Sequence, residues 1–298
     1  MYEIATSSIL TPQNGMNIYR GRTENTMWVN EIPRADSMDI GVKKDAEEIL
    51  NITLKKRRSK SMLIAGNLGD PYNRLEEEFK LTKGALSVTL QNDFGINITT
   101  RSKLILRDLD LLSDLAKYTK CCVDVPFPAA SQEIFDGIEG QGAFANPEIP
   151  SIQSSFQERL DMMAGLRAAG VPVCILMQPI IPELNDKIEE IQGIMKLGKE
   201  LGVGAFDIGP CKTLLKKNSK DFFYNNYAER FPEQYKDLEE KYGQSQELIP
   251  AEQKELLKEV RELGEKYGLE TDSHVLSEYR RHYTNQQTGS QASLLDFM

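Results

Sequence analysis

The side chains best suited to redox or metal chemistry are few in this chain. There are four cysteines, Cys121, Cys122, Cys174 and Cys211, and two histidines, His274 and His282. Thiolates hold iron–sulfur clusters and zinc, but no C-x-x-C pair is present. Cys121 and Cys122 are neighbours in a strand-like run and therefore point to opposite faces. Cys174 and Cys211 fall on or just after later strands, so three thiolates are not expected to meet at one point. Buried core thiols are the simpler expectation. Both histidines lie near the C-terminus in helical patterns, which argues against a histidine-rich metal site and against a Ser-His-Asp triad. No proton-transfer dyad of specific spacing is evident.

The elements that must position any site come from periodicity. The chain has 298 residues, 40% of them apolar, enough for one large α/β domain or two small ones. Its net charge of −9 argues against nonspecific nucleic-acid binding, which needs a basic surface. The one basic run, Lys55 to Lys60, reads either as a solvated helix end or as a phosphate-binding patch. No apolar run approaches the roughly 20 residues of a membrane span. No signal peptide is visible, so a cytoplasmic protein with reduced thiols and no membrane partner is expected.

Short β-branched runs alternate with amphipathic helical ones. Strands are expected at 16–20, 61–65, 96–100, 121–125, 171–177 and 205–209, and helices at 45–58, 75–90, 108–117, 156–169 and 187–201. Strand–helix repeats with short connections imply parallel strands and right-handed crossovers. No G-x-G-x-x-G follows the first strand, so a dinucleotide-binding sheet is the weaker choice. A partial (β/α)6 TIM-type barrel is expected, with its site at the C-terminal strand ends. Beyond 209, a polar, aromatic and charged stretch leads to a helix at 250–267, where Pro250 suits the first turn and Gly268 the end. The expected organisation is a barrel over 1–215, C-terminal helices packed on it over 216–284, and a flexible tail over 285–298.

Several stretches together resemble the radical S-adenosylmethionine (SAM) superfamily, in its spore photoproduct lyase-like, or DNA-repair-photolyase-like, branch. They are SILTPQNGMNIYRG, GNLGDPYNRLEEEFKLTKGAL, NITTRSKLILRDLDLL and RLDMMAGLRAAGVPVCILMQPIIPELND. Their order and spacing run from residue 8 to about residue 283. Such enzymes hold a [4Fe–4S] cluster through C-x-x-x-C-x-aromatic-C, and its open iron binds the amino and carboxylate groups of SAM. Laid on this chain, the three ligand positions fall on Arg22, Thr26 and Val29, and the aromatic position on Trp28. Neither a guanidinium nor an isopropyl group replaces a thiolate, so no cluster is expected by the family's route. Glu24-Asn25 also stands where His-Gly is familiar.

The resemblance implies further roles. Trp28 would lie against adenine; Gly66, Asn67 and Asp70 would approach the amino group and ribose; Arg101 and Ser102 would face the SAM. Arg159 matches a helix arginine that can pair with the SAM carboxylate, a task suited to a planar fork of donors. Each has a plainer alternative: Trp28 as packing, Asp70-Pro71 as a turn, Arg159 as a solvated helix residue. Arg22 could offer donors to an anion in the volume a cluster would fill. The glycine-rich segment 137–150 reads as a lid, a partner surface or a tolerated insertion.

The last residues, Gln291, Ala292, Ser293, Leu294, Leu295, Asp296, Phe297 and Met298, resemble a DNA sliding-clamp-binding peptide. Gln291 would bond at a pocket edge, Ser293 would sit between, and Leu294, Leu295 and Phe297 would fill the pocket. The alternative is that these apolar residues tether the tail to the barrel. Three functions remain open: a degenerate radical SAM-like pseudoenzyme or binding protein linked to DNA metabolism, a cluster-independent SAM-binding enzyme, and an active radical SAM enzyme with altered ligation.

Overall fold

The computed structural model describes residues 2–4, 8–20, 41–67, 69–139, 154–215 and 220–283. Arg22, Thr26, Trp28, Val29 and the tail from Gln291 to Phe297 lie outside the described residues.

The strands are β1 (Tyr2–Ile4), β2 (Gly15–Met16), β3 (Tyr19–Arg20), β4 (Gly41–Lys43), β5 (Met62–Ala65), β6 (Gly95–Thr99), β7 (Cys121–Pro126), β8 (Val173–Leu176), β9 (Ala205–Asp207), β10 (Thr213–Leu214) and β11 (Glu247–Leu248). The helices are α1 (Ala46–Lys55), α2 (Glu76–Phe79), α3 (Leu81–Gln91), α4 (Leu109–Tyr118), α5 (Gln132–Glu139), α6 (Phe156–Ala168), α7 (Ile188–Glu200), α8 (Lys220–Arg230), α9 (Pro232–Tyr242), α10 (Gln253–Tyr267) and α11 (Ser273–Arg281).

Six strands form one parallel sheet in the order β2-β5-β6-β7-β8-β9. Chain order equals spatial order, as expected when each crossover returns on the same side. The barrel stays open, as a partial barrel does. The first strand departs from expectation. Only Gly15–Met16 pairs with β5, while Tyr19–Arg20 turns away to pair with β4 in a small sheet with β1. The helix expected over 75–90 is broken at Lys80, which adopts a left-handed conformation between α2 and α3.

Alternation along the strands divides the interior in two. Ile96, Ile98, Cys121, Val123, Val125, Ile175 and Phe206 join the core under the helices. Cys122, Cys174, Leu176 and Ala205 face the concave side, the lumen, and pack with Leu276 and Tyr279 of α11. Parallel strands covered on both faces read as near-continuous apolar runs; Asp124 in CCVDVP is the exception, and it needs a partner. Arg280 of α11 supplies it: Nε lies 3.0 Å from Asp124 Oδ2, while Nη1 reaches Asp207 Oδ2 at 2.6 Å and Nη2 reaches Cys174 Sγ at 3.3 Å. Asn97 Nδ2 donates to Asp124 Oδ2 at 3.0 Å. Helix α10 lies along α7, and a second apolar cluster joins Ile138 of α5 to Tyr227 of α8, Leu238 of α9 and Phe231 between them.

Candidate ligand site at the strand ends

The C-terminal ends of β5, β6 and β7 gather most of the residues singled out from the sequence. At the end of β5 the chain must bend tightly over its neighbour. Gly66 has φ +100°, and a Cβ there would meet the Thr99 carbonyl oxygen at 2.2 Å, so only glycine fits. Asn67 then lies over Gly15 of β2, where an added Cβ would sit 3.0 Å from Asn67 Nδ2. Asn67 Oδ1 is buried and has no hydrogen-bond partner. Unmet buried acceptors are costly and uncommon.

Asp70 ties this turn to β6. Its Oδ1 accepts from Tyr72 N at 2.9 Å and from Thr100 Oγ1 at 2.7 Å, and its Oδ2 accepts from Arg101 N at 2.8 Å. Burial pushes the carboxyl upward, against the pull of these donors. Asp70 therefore does form a turn, and that turn is bonded to the next strand end. Ser102 caps the following 3-10 turn: its Oγ accepts from Leu104 N at 3.3 Å.

Arg101 and Arg159 converge from two directions. Arg101 follows β6; Arg159 sits in the first turn of α6, oriented by a capping box of Ser155 and Glu158. Arg159 is fully buried, so its side chain is not that of a solvated helix residue. Its guanidinium donates to the Pro126 carbonyl at the end of β7, to Ser154 O at 3.4 Å, and to Glu139 Oε2 at 3.0 Å. Arg101 Nε donates to Glu139 Oε1 at 2.8 Å. Burial alone would raise the Glu139 carboxyl, but the two guanidiniums hold it below the usual carboxylate range. Arg159 Nε is buried and unpartnered. The Arg159 guanidinium also lies 5.4 Å from the Phe135 ring centroid.

Glu139 is the member of this cluster that sequence reasoning missed. It lies in the segment 137–150, read only as a loop, of which 137–139 belong to α5 and the remainder lies outside the described residues. The signal was present: QEIFDGIE is amphipathic, and Gly137 permits close packing. A Cβ there would meet the Phe231 ring at 2.1 Å.

The four cysteines lie elsewhere. Cys121 packs under the helices, Cys122 and Cys174 line the lumen beside Arg280, and Cys211 is buried in the helix-side core beyond β9. Burial raises every one of these thiols, Cys122 and Cys211 to about 12. Among the described residues no group of three His, Cys, Asp or Glu side chains is placed to hold a metal ion. No described helix is long and apolar enough to cross a membrane.

The sequence matches no protein-family profile. It is 25% identical to an uncharacterized protein of Mycobacterium tuberculosis, over 86% of this chain and 75% of that one. It is 27% identical to an uncharacterized protein of Methanocaldococcus jannaschii, over 50% of this chain and 52% of that one. Among solved structures it is similar to a variant of spore photoproduct lyase, with a TM-score of 0.54 and 16% identity over 89% of this chain and 78% of that one. Spore photoproduct lyase complexed with dinucleoside spore photoproduct gives a TM-score of 0.53 and 15% identity over the same 89% and 78%. The fold is thus an open α/β barrel of the kind that spore photoproduct lyase also has.

Proposed function

We propose that this chain is a radical SAM-like protein that keeps the ligand mouth of the fold without its cluster: a pseudoenzyme or binding protein linked to DNA metabolism. One observation carries the reading. Asp70, Arg101, Ser102 and Arg159 gather buried at the strand ends, while the four thiols pack in the helix-side core or beside Arg280. The donor set does not fit a [4Fe–4S] cluster. Arg22, Thr26 and Val29 offer no sulfur at the family's positions, and the buried cysteines are divided between the two faces of one sheet and the segment beyond β9. These residues would not anchor iron at the mouth.

SAM itself fits better. The buried, unpartnered Asn67 Oδ1 supports this, since it can accept from an ammonium group. Arg101 and Arg159 would take the carboxylate, with Gly66, Asp70 and Ser102 shaping the wall and Trp28 the adenine side. Bound SAM would supply a sulfonium cation and an adenosyl group. The residues here orient its amino-acid end and exclude water from it.

Anaerobic reconstitution with iron and sulfide tests the reading. Colourless protein without bound sulfide is expected; a stoichiometric brown cluster would instead make this chain an active radical SAM enzyme. The link to DNA rests on the fold's likeness and on the tail. Gln291, Ser293, Leu294, Leu295 and Phe297 would dock on a sliding clamp. Clamp pull-down should fail when Leu294 and Phe297 become alanine, and unchanged capture would remove the clamp as partner.

A further inference from the structure

We infer that Glu139 is a built-in ligand of the Arg101–Arg159 fork, a carboxylate that fills the anion subsite of the mouth and leaves it when a ligand carboxylate arrives. This rests on the ligand reading above and adds its regulation. Both oxygens of Glu139 are held by the fork, at 2.8 Å from Arg101 Nε and 3.0 Å from Arg159 Nη2. Arg101 follows β6 and Arg159 stands on α6, whereas Glu139 ends α5. Phe135 anchors that helix to the barrel core against Phe127 and Phe156, and Ile138 packs in the α8–α9 cluster. Only the last turn of α5, which carries Glu139, has to shift for the occupant to leave while the fork stays fixed.

Charge and valence point the same way. Glu139 is the carboxylate that both guanidiniums grip, while Asp70, whose charge also acts on them, is bonded to two backbone amides and Thr100. Arg159 Nε keeps a donor unspent in a fully buried side chain. Two buried arginines without an anion would be strongly destabilising. An internal carboxylate lets the empty mouth fold. Exchanging it for a ligand carboxylate conserves both charge and hydrogen bonds, so the exchange itself costs little and the last turn of α5 is released.

The test uses the full chain, with SAM and acetate as probes. Glu139→Gln removes the charge and turns an amide toward the fork, so it should bind SAM about tenfold tighter than wild type or better. In wild type, SAM should speed amide exchange in residues 132–139 and leave α3 unchanged. Equal or weaker SAM binding by folded Glu139→Gln, with wild type still binding, overturns the exchange idea and leaves the ligand reading intact. If neither protein binds SAM, the ligand reading fails, and acetate decides the exchange idea. Acetate should restore the melting temperature of Glu139→Ala towards wild type, where chloride at equal ionic strength does not; no rescue overturns it. If neither variant folds, wild-type exchange decides, and unchanged rates in 132–139 with saturating SAM or acetate overturn it.

Discussion

In the lumen, one arginine stands between two aspartates; at the mouth, two arginines enclose one glutamate. Every part of the lumen arginine is used: Arg280 bonds Asp124, Asp207 and Cys174. Burial works against its charge, yet Asp124, Cys174 and Asp207 hold it raised and firmly ionised. The mouth is less complete, with an unpartnered donor on Arg159 and an unpartnered acceptor on Asn67. Both networks are buried and both join a barrel strand to a helix outside the repeat. Their difference separates a structural lock, in which each guanidinium nitrogen has a partner, from the proposed ligand site, in which some polar atoms are left for a visitor.

The sharpest way to break the comparison is Arg280→Ala. It would leave Asp124 and Asp207 buried without a counter-charge, at a cost of about 3–5 kcal/mol. Denaturant titration should show that loss, and α11 should exchange fastest. A loss below about 1 kcal/mol would mean that the lumen is not a lock. Gly66→Ala comes next. The forced positive φ and the clash with Thr99 should cost about 2 kcal/mol or more, and should weaken ligand binding at the mouth as well. Arg280→Ala should leave the mouth's affinity unchanged in whatever fraction stays folded.

Glu139→Gln should destabilise the ligand-free protein by roughly 2 kcal/mol at neutral pH, the scale of hydrogen bonds to charged groups. The sign with pH follows from the lowered carboxyl. A group whose folded pKa lies below its unfolded one stabilises above the unfolded value, about 4.3 for Glu, and loses that contribution as pH falls through the folded one. The gap between wild type and variant should thus narrow in acid below about pH 4. A gap independent of pH would contradict the ionic reading.

The smallest effect belongs to a control outside both networks. Burial and then the nearby Glu183 push Asp186 up to about 6. Here the folded state binds the proton more tightly, so stability falls as pH rises between the unfolded value and 6. Asp186→Asn keeps the acceptor for Glu183 N and should gain about 1 kcal/mol at pH 8, an advantage that fades as pH falls towards 4. No gain would mean that local water already solvates this carboxylate.

The barrel was legible in the sequence because its signal is repetitive: each buried strand is a short apolar run followed by a long amphipathic one. What is not repetitive was harder to see. Tyr19–Arg20 continues the apolar pattern of the first strand, yet pairs with Gly41–Lys43, a choice made by tertiary context. Lys80 breaks a helix that periodicity carries through, because the left-handed turn reverses the chain onto buried Glu76. The residues of the mouth on strand ends were found through their place after each strand. Glu139 and Arg280 were not, because the nearest of their partners are 20 and 73 residues away, respectively, and no local period encodes such pairings. Asp124 and Asp207, each an acid within an apolar strand, were the local signs that a distant cation had to exist.

Equilibrium binding of SAM to chelator-treated protein, compared with protein taken through iron–sulfide reconstitution, bears most directly on the central claim. If the mouth recognises its ligand through Asn67 and the arginine fork alone, both preparations bind SAM with the same affinity. Binding that appears only after reconstitution, together with stoichiometric iron, would contradict it.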